Sequence, residues 1–232
     1  TFNSGVVTVQ PTVTQKGTKT YTCTVCGAVK TEDIDALGLP AKGSTVTVSG
    51  ALYVVTNSAA SNGTVQYKKP VSGGVTSVTI PEVVTVNGVS YKVTSVASNA
   101  FKNNKKLTKV IIGKNVKTVG TSAFSGCSKL KTVSMGANVT TINAKAFYKC
   151  IALTKITIPA KVNKIGKQAF YGCKNLKTVT IKTKKLTSKN VGSKAFKGIH
   201  SKAAIKVPKS KLASYKKILK AKGIGSKVKV KK

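Results

Sequence analysis

Part of the chain repeats itself at a fixed step of 23 residues. The dipeptide Ala-Phe ends at Phe101, Phe124, Phe147 and Phe170, and a leucine follows six residues after each phenylalanine. One such unit is too short to bury its own apolar face, so neighbouring units must stack and share a core. The period therefore predicts a solenoid rather than a globular domain.

Each unit also contains a short strand pattern, Leu-x-x-Val-x-Ile, formed in one unit by Leu107, Val110 and Ile112. Its final alternation is typical of a strand with one buried face, so successive strands should stack as a parallel sheet. A period between about 20 and 29 residues is that of leucine-rich repeats. We therefore predict a mainly β, right-handed leucine-rich-repeat solenoid, with the parallel sheet on one face and short helical turns around Ala-Phe on the other.

The repeat extends beyond these four units. Val75, Val78 and Ile80 fit the strand pattern, and a hairpin at Asn87-Gly88 explains an insertion in that first coil. A fifth pair at Ala195-Phe196 brings the prediction to about six coils. The predicted parts are a small β module with Cys-x-x-Cys at 1–43, a β-hairpin N-terminal cap at 44–74, the solenoid at 75–207, and a C-terminal cap helix and strand at 208–232.

The charge balance of the chain is extreme. There are 41 basic residues, all lysine, against four acidic ones, so the formal net charge is +37. No carboxylate side chain follows Glu82. Such a chain attracts polyanions, but the absence of arginine counts against base-specific nucleic-acid recognition, because arginine makes most bidentate contacts to guanine. Lysines that merely keep the surface solvated are the alternative.

The outward positions of the predicted strands are the candidate binding residues. Stacking would place them on one extended face of small polar and lysine side chains, the kind of surface that solenoids use for binding. Neither aromatic platforms nor carboxylates accompany them, which counts against a deep site for neutral sugars. The candidates are Lys109, Ile111, Thr132, Ser134, Lys155, Thr157, Thr178, Thr180 and Lys182.

The five cysteines fall into two groups. Cys127, Cys150 and Cys173 follow the 23-residue step, and we predict a ladder of reduced core residues about 4.8 Å apart. Cys23 and Cys26 belong to a Cys-Thr-Val-Cys-Gly motif, for which we expect a disulfide across the short loop outside the cell. Zinc completed by another module, or free thiols, are the alternatives, because a structural zinc site needs four ligands.

The residue types that catalysis needs are not grouped in this sequence. His200 is the sole histidine, and Glu82 is the sole carboxylate of the predicted solenoid. No glycine-rich phosphate loop follows a strand and opens a helix. We therefore predict no enzyme activity, no catalytic or metal-binding residue and no cofactor. No stretch reaches the ~18 apolar residues of a membrane span, so membrane insertion is not expected.

Two segments resemble known families. The unit from Val139 to Pro159 is similar to the repeat of BspA-like leucine-rich-repeat proteins, with Ala-Phe, Cys, Leu and Ile-Pro all in register. These are bacterial cell-surface proteins. The segment Tyr21–Glu32 is similar to Cys-Thr-Val-Cys-Gly modules in large secreted proteins of Gram-positive gut bacteria. Both resemblances imply an exported surface protein with a role in adhesion or host contact, whose signal and anchor lie outside this chain.

These observations together lead to two hypotheses of function. The first is a monomeric, non-enzymatic binding scaffold whose basic solenoid surface contacts a protein or an anionic polymer, such as host matrix, mucin or a cell-wall phosphate polymer. Specific binding of nucleic acid is not expected. The second is a structural spacer, or an element that retains a larger multidomain secreted protein in the wall by electrostatic attraction.

Overall fold

The computed structural model describes all 232 residues, and strands dominate it. The first part contains β1 (Val6–Val9), β2 (Gly17–Thr22), β3 (Val29–Ile34), β4 (Thr45–Val48), β5 (Ala51–Asn57), β6 (Thr64–Pro70), β7 (Ser77–Ile80), β8 (Val83–Val86) and β9 (Val89–Val96). The strands of the remainder are β10 (Lys109–Ile112), β11 (Thr118–Val119), β12 (Thr132–Ser134), β13 (Thr141–Ile142), β14 (Lys155–Ile158), β15 (Lys164–Ile165), β16 (Thr178–Ile181), β17 (Ala204–Lys206) and β18 (Lys229–Lys231). A short 3-10 helix (Lys209–Lys211) leads into the single α-helix, α1 (Leu212–Ala221).

The first three strands form a separate antiparallel sheet with β2 in the centre. This sheet leaves apolar side chains in solvent: Val6 is 64% exposed, Val9 53% and Val29 63%. The continuous apolar core of the chain begins only at Ala51. The three-stranded sheet therefore contributes little to this burial, whereas Val46 and Val48 of β4 pack against the core.

Two sets of strands run along the stack of coils. The strand sheet, as we call the first set, consists of β7, β10, β12, β14, β16, β17 and β18, all parallel to their neighbours. Val78 lies beside Val110, and Ile80 beside Ile112, as the strand pattern predicts. The second set, which we call the return sheet, lies after the strand sheet in each coil. It consists of β9, β11, β13 and β15, which pair in parallel. The solenoid is thereby confirmed.

The strand sheet is interrupted once, between β12 and β14. These strands belong to separate hydrogen-bonded groups, β7-β10-β12 and β14-β16-β17-β18. Elsewhere the N–H of Lys182 donates to the carbonyl of Ile158 at 2.9 Å. Pro159 occupies the same position one coil earlier and has no N–H to donate to Met135. The repeat thus lacks one ladder bond at this junction.

Identical residues stack in columns inside the solenoid. The rings of Phe101, Phe124, Phe147, Phe170 and Phe196 lie parallel, with centroids 5.1, 5.2, 5.3 and 5.1 Å apart. Four of these five side chains are 0% exposed, and Phe101 is 3% exposed. Burial of this kind contributes roughly 1.5–3 kcal/mol for each ring relative to solvent. The phenylalanine column is therefore a main source of the cohesion between coils.

Both ends of the stack are closed by non-repeating elements. At the N-terminal end, β4, β5 and β6 extend the return sheet, and the Tyr67 ring stacks on Phe101 at 5.4 Å. At the C-terminal end α1 buries Tyr215 and Leu219. The Tyr215 hydroxyl donates to the carbonyl of Thr183 at 3.0 Å and accepts the N–H of Leu186 at 3.1 Å. This pair of bonds ties the helix to the loop of the last full coil.

The segments around Ala-Phe are single turns rather than helices. The N–H of Cys127 donates to the carbonyl of Phe124, a bond from one residue to the third before it. After each turn the chain passes through left-handed backbone, with φ +73° at Gly126, +53° at Lys149, +71° at Gly172 and +75° at Gly198. Lys149 alone among these four positions carries a side chain in a conformation that suits glycine.

We expect Lys149→Gly to raise the free energy of unfolding by about 0.5–1 kcal/mol, because relief of left-handed strain exceeds the added entropy of the unfolded chain. Lys149→Asn should also stabilise, because asparagine tolerates this conformation, as Asn103 does at φ +61°. Urea unfolding of both variants measures the effect. The matched control is Lys155→Gly in β14, which should destabilise, and a loss of stability in Lys149→Gly comparable to that control would contradict the prediction.

Candidate functional site

The strand face, meaning the outward side of the strand sheet, brings the predicted binding residues together. Along each strand inward residues are buried and outward ones face solvent, as in β14, where Ile156 and Ile158 are buried and Lys155 and Thr157 exposed. All nine candidates lie on this face, six of them exposed and Ile111, Thr178 and Thr180 half-buried. Their arrangement follows directly from the period of two along a strand.

Strand pairing makes neighbours of candidates from successive coils. Lys109 pairs with Thr132, and Ile111 with Ser134. In the second group, Lys155 pairs with Thr178, and Thr157 with Thr180. Ser134 and Thr157 are not joined by strand pairing, because the sheet is interrupted between their strands. The strand face is thus two paired patches that share one side of the solenoid.

Lysine and threonine alternate on this face from coil to coil. The two residues after each leucine are Thr108-Lys109, Lys131-Thr132, Thr154-Lys155 and Lys177-Thr178. At these two positions each coil contributes one lysine, and lysines of the same column are two coils, or about 10 Å, apart.

Residues beyond the candidates extend the same columns. Lys206 lies beside Thr180, Lys229 beside Ala204, and Lys231 beside Lys206. These lysines were missed because the coil of β17 departs from the repeat and β18 lies after the helix, outside any 23-residue register. The available signals were the alternation Ile205-x-Val207, which places Lys206 outward, and the alternation of lysine and valine from Lys227 to Val230.

Few lysines have a carboxylate partner. The salt bridges join Lys16 to Asp33 and Asp35, Lys30 to Glu32, and Lys114 to Glu82, the last at 2.7 Å. None of these involves a strand-face candidate. The positive charge of the strand face is therefore compensated only by solvent ions, which a polyanion would release on binding.

The three solenoid cysteines are buried in the core. Each thiol donates to a phenylalanine carbonyl of the preceding coil: Cys127 to Phe101 at 3.0 Å, Cys150 to Phe124 at 3.1 Å and Cys173 to Phe147 at 3.1 Å. All three are free thiols. Burial raises the pKa of Cys127 and of Cys173 from 9.0 to about 12 and that of Cys150 well above 9.0. These thiols form the predicted reduced ladder.

The N-terminal cysteines, Cys23 and Cys26, are accessible to solvent, unlike the three of the ladder. Cys26 is exposed, Cys23 is half-buried, and both are free thiols here, so the disulfide stays a prediction. Hydrogen bonds to the Cys23 sulfur, from the backbone N–H of Cys26 first and then from that of Val25, lower its pKa from 9.0 to about 7. Cys23 is thus the thiol most prepared to react at neutral pH.

We expect only two of the five thiols to react with a soluble disulfide reagent in the folded, reduced protein. The rate should rise as pH increases through about 7 and the Cys23 thiolate forms, whereas all five should react in denaturant. Absorbance of the released thiolate counts the groups. Cys23→Ser should leave one slow thiol, and rapid reaction of a third thiol in the folded state would contradict the burial of the ladder.

Tyr148 and Tyr171 lie on the turn face, the side of the solenoid formed by the Ala-Phe turns. Their rings stack at 5.3 Å with an interplanar angle of 8°, and both are half-buried. Each directly follows a core phenylalanine. They therefore shield the phenylalanine column and also keep part of their ring surface in solvent.

A profile described as a BspA type leucine rich repeat region matches residues 94–220 in six copies, which is more than half of the chain. The chain belongs to the BspA-type leucine-rich-repeat family. The match does not include the Cys-Thr-Val-Cys-Gly segment, for which the resemblance remains an expectation. Proteins with BspA-type repeats are typically bacterial surface proteins, and their fold is typically a non-enzymatic scaffold.

Solved structures with this fold include several bacterial leucine-rich-repeat proteins. One from T. pallidum is 25% identical, with a TM-score of 0.58, over 71% of this chain and 72% of that protein. One from Bacteroides capillosus is 31% identical, with a TM-score of 0.51, over 60% of this chain and 98% of that protein. The pneumococcal vaccine antigen PcpA, 22% identical with a TM-score of 0.56 over 82% of this chain and 48% of that protein, shares the fold.

No curated protein sequence is significantly similar to the chain. None of its helices has the length and apolar character that crossing a membrane requires.

Proposed function

We propose that this BspA-type protein is a non-enzymatic, extracellular binding scaffold whose strand face contacts a protein or an anionic polymer. The observation that carries the proposal is the stacking of the strand sheet: Lys109 and Lys155 are outward residues of its two hydrogen-bonded groups, Lys182 directly follows β16, and no carboxylate lies among them. A rigid, repeating cationic face suits a partner that is itself extended and negatively charged.

The test compares two variants of equal charge. The strand-face variant replaces Lys109, Lys155 and Lys182 by glutamine, and the control replaces Lys117, Lys164 and Lys167, which are exposed residues of the return side. Both lose three charges, so simple net-charge effects are the same. Binding is measured to immobilised matrix protein, mucin and linear polyphosphate, each beside an uncharged polymer.

We expect the strand-face variant to weaken binding to at least one of these partners by about tenfold or more, and the control by less than about threefold. Circular dichroism verifies that both variants remain folded. Equal losses in the two variants would mean that charge alone decides binding and would sink the proposal. No binding beyond that of a charge-matched peptide would sink it as well.

One observation favours the second candidate function, retention in an anionic wall. Lysines also surround the coils outside the strand face, as at Lys117, Lys161 and Lys164, so positive charge is spread around the solenoid. A diffuse coat of this kind suits attraction to a polymer network without a defined contact surface. In that case the solenoid would act as a spacer, and the two triple variants would behave alike.

A further inference from the structure

The turn face has a depression, which we call the notch, beside the stacked rings of Tyr148 and Tyr171. The residue after each core phenylalanine is Lys102, Ser125, Tyr148, Tyr171 and Lys197 in successive coils. Tyr171 covers one face of the Tyr148 ring at 5.3 Å. On the other side the next residue of the column is Ser125, whose side chain is too small to cover a ring. The stack of tyrosine rings therefore ends at Tyr148, and Ser125 itself is only 8% exposed.

Small residues of the same coil deepen this opening into a cavity. Its volume is about 400 Å³, close to the lower end of small-ligand sites. Polar, apolar and cationic groups surround it. The lining residues are Asn103, Lys105, Ser125, Gly126, Ser128, Tyr148, Lys149 and Ile151.

The walls of the notch differ in chemistry from the rest of the solenoid surface. Ile151 is 42% exposed, an unusual degree for an isoleucine of the repeat. The ammonium groups of Lys145 and Lys149 lie 6.0 and 5.5 Å from the centroid of the Tyr148 ring. Lys105 reaches across the floor and donates to the carbonyl of Gly126 at 2.9 Å. An aromatic wall, an apolar edge and several cations thus converge on one opening.

We propose that this notch binds a carboxylated pyranose, that is, one acidic sugar residue of a glycan. The sugar ring packs against the Tyr148 ring on the side of Ser125, in exchange for the contacts that the Lys145 and Lys149 ammonium groups make with that ring, and its carboxylate lies between Lys105 and Lys149. Ser125 and Ser128, whose hydroxyls have no hydrogen-bond partner in the protein, and the Asn103 amide bind the ring hydroxyls. The absence of carboxylates beyond Glu82 removes any group that would repel the ligand.

This site is independent of the strand face. It lies among the Ala-Phe turns, and none of its lining residues belongs to the strand sheet. A nucleobase would also stack on tyrosine, but the notch offers one aromatic wall and several hydroxyl and amide groups, which suit a hydroxyl-rich ring better than a flat one. A nucleotide or an acidic peptide is therefore a competing outcome of the test.

The test uses the whole chain and two acidic sugar sources, an oligosaccharide containing hexuronate and one ending in sialic acid. The matched neutral ligand is a glucose oligosaccharide of the same length. Titration calorimetry and ligand-observed NMR measure binding. Ser125→Tyr is the decisive variant, because tyrosine is already accommodated at the equivalent positions 148 and 171, so it should fold and fill the notch.

We expect at least one acidic oligosaccharide to bind, and the neutral one to bind about tenfold more weakly or not at all. Ser125→Tyr should abolish binding, Tyr148→Ala should weaken it by about tenfold, and Lys105→Gln by about fivefold. Lys155→Gln on the strand face should have no effect. The unfolding midpoint of Ser125→Tyr must match that of the unchanged protein for the comparison to count.

The proposal is overturned if Ser125→Tyr binds as tightly as the unchanged protein, or if neutral and acidic sugars bind equally. It is also overturned if neither acidic oligosaccharide binds, whether or not a nucleotide or an acidic peptide occupies the notch. Should Ser125→Tyr not fold, Ser125→Leu and Tyr148→Ala decide by the same criterion. None of these results depends on whether the strand-face variants bind their own partner.

Discussion

Phe147→Ala is expected to lower the free energy of unfolding by about 3–5 kcal/mol, the usual cost of removing a buried aromatic ring. Phe147 is 0% exposed and lies between Phe124 at 5.2 Å and Phe170 at 5.3 Å. Its removal would leave a cavity and break two ring contacts at once. In a solenoid each coil is stabilised mainly by its neighbours, so the loss weakens both adjoining interfaces. Chemical denaturation followed by circular dichroism measures the change.

The neighbouring residue provides the control for this prediction. Tyr148→Ala removes an aromatic ring of similar size from the half-buried turn face and should cost clearly less than Phe147→Ala. Phe147→Leu, which keeps most of the apolar volume, should fall between the two. If Phe147→Ala and Tyr148→Ala proved equally destabilising, the phenylalanine column would not be the main source of cohesion between coils.

The solenoid could be predicted because its information is local and repeated. A residue such as Val110 needs only to be apolar and in phase with Val78 and Val133, and the 23-residue step supplies both conditions. The same reasoning placed Cys127 in the core, because its position equals that of Cys150 one coil later. Periodicity thus determines which side chains share a column, and burial follows from the column.

Contacts made by elements outside the repeat could not be predicted from periodicity. Tyr67 completes the aromatic column from β6, a strand with no repeat pattern, and Tyr215 ties α1 to Thr183 through a contact between distant segments. The interruption between β12 and β14 also has no signal in the Leu-x-x-Val-x-Ile pattern. Pro159 contributes to it, because proline has no N–H for the bond that Lys182 makes at the same position one coil later.

The candidate site shows the same division. The alternation along each strand was sufficient to select the outward residues of the strand face, such as Lys155 and Thr157. The notch beside Tyr148 could be found only by comparing equivalent positions of successive coils. Ser125 is the small residue at a position where the other coils carry tyrosine or lysine. Spacing identifies columns, and the shape of a column emerges only when its members are stacked.

Binding to linear polyphosphate is expected to weaken steeply with salt, and the slope locates the contact surface. If about six to ten lysines neutralise phosphates, the affinity should fall by a factor on the order of 10³–10⁵ between 50 and 200 mM salt, by the counterion-release relation measured for DNA. A protein partner held by shape and apolar contact should lose much less, because screening acts mainly on exposed charge pairs. Affinities at four salt concentrations give the slope.

The two triple lysine variants then separate a defined surface from a diffuse coat. Each phosphate-contacting lysine that is removed should reduce the slope of log affinity against log salt by about one. Replacing Lys109, Lys155 and Lys182 should therefore reduce it by about three if the polymer follows the strand face, while replacement of Lys117, Lys164 and Lys167 leaves it nearly unchanged. Equal reductions would instead identify electrostatic retention around the whole solenoid, because every exposed lysine would then contribute alike.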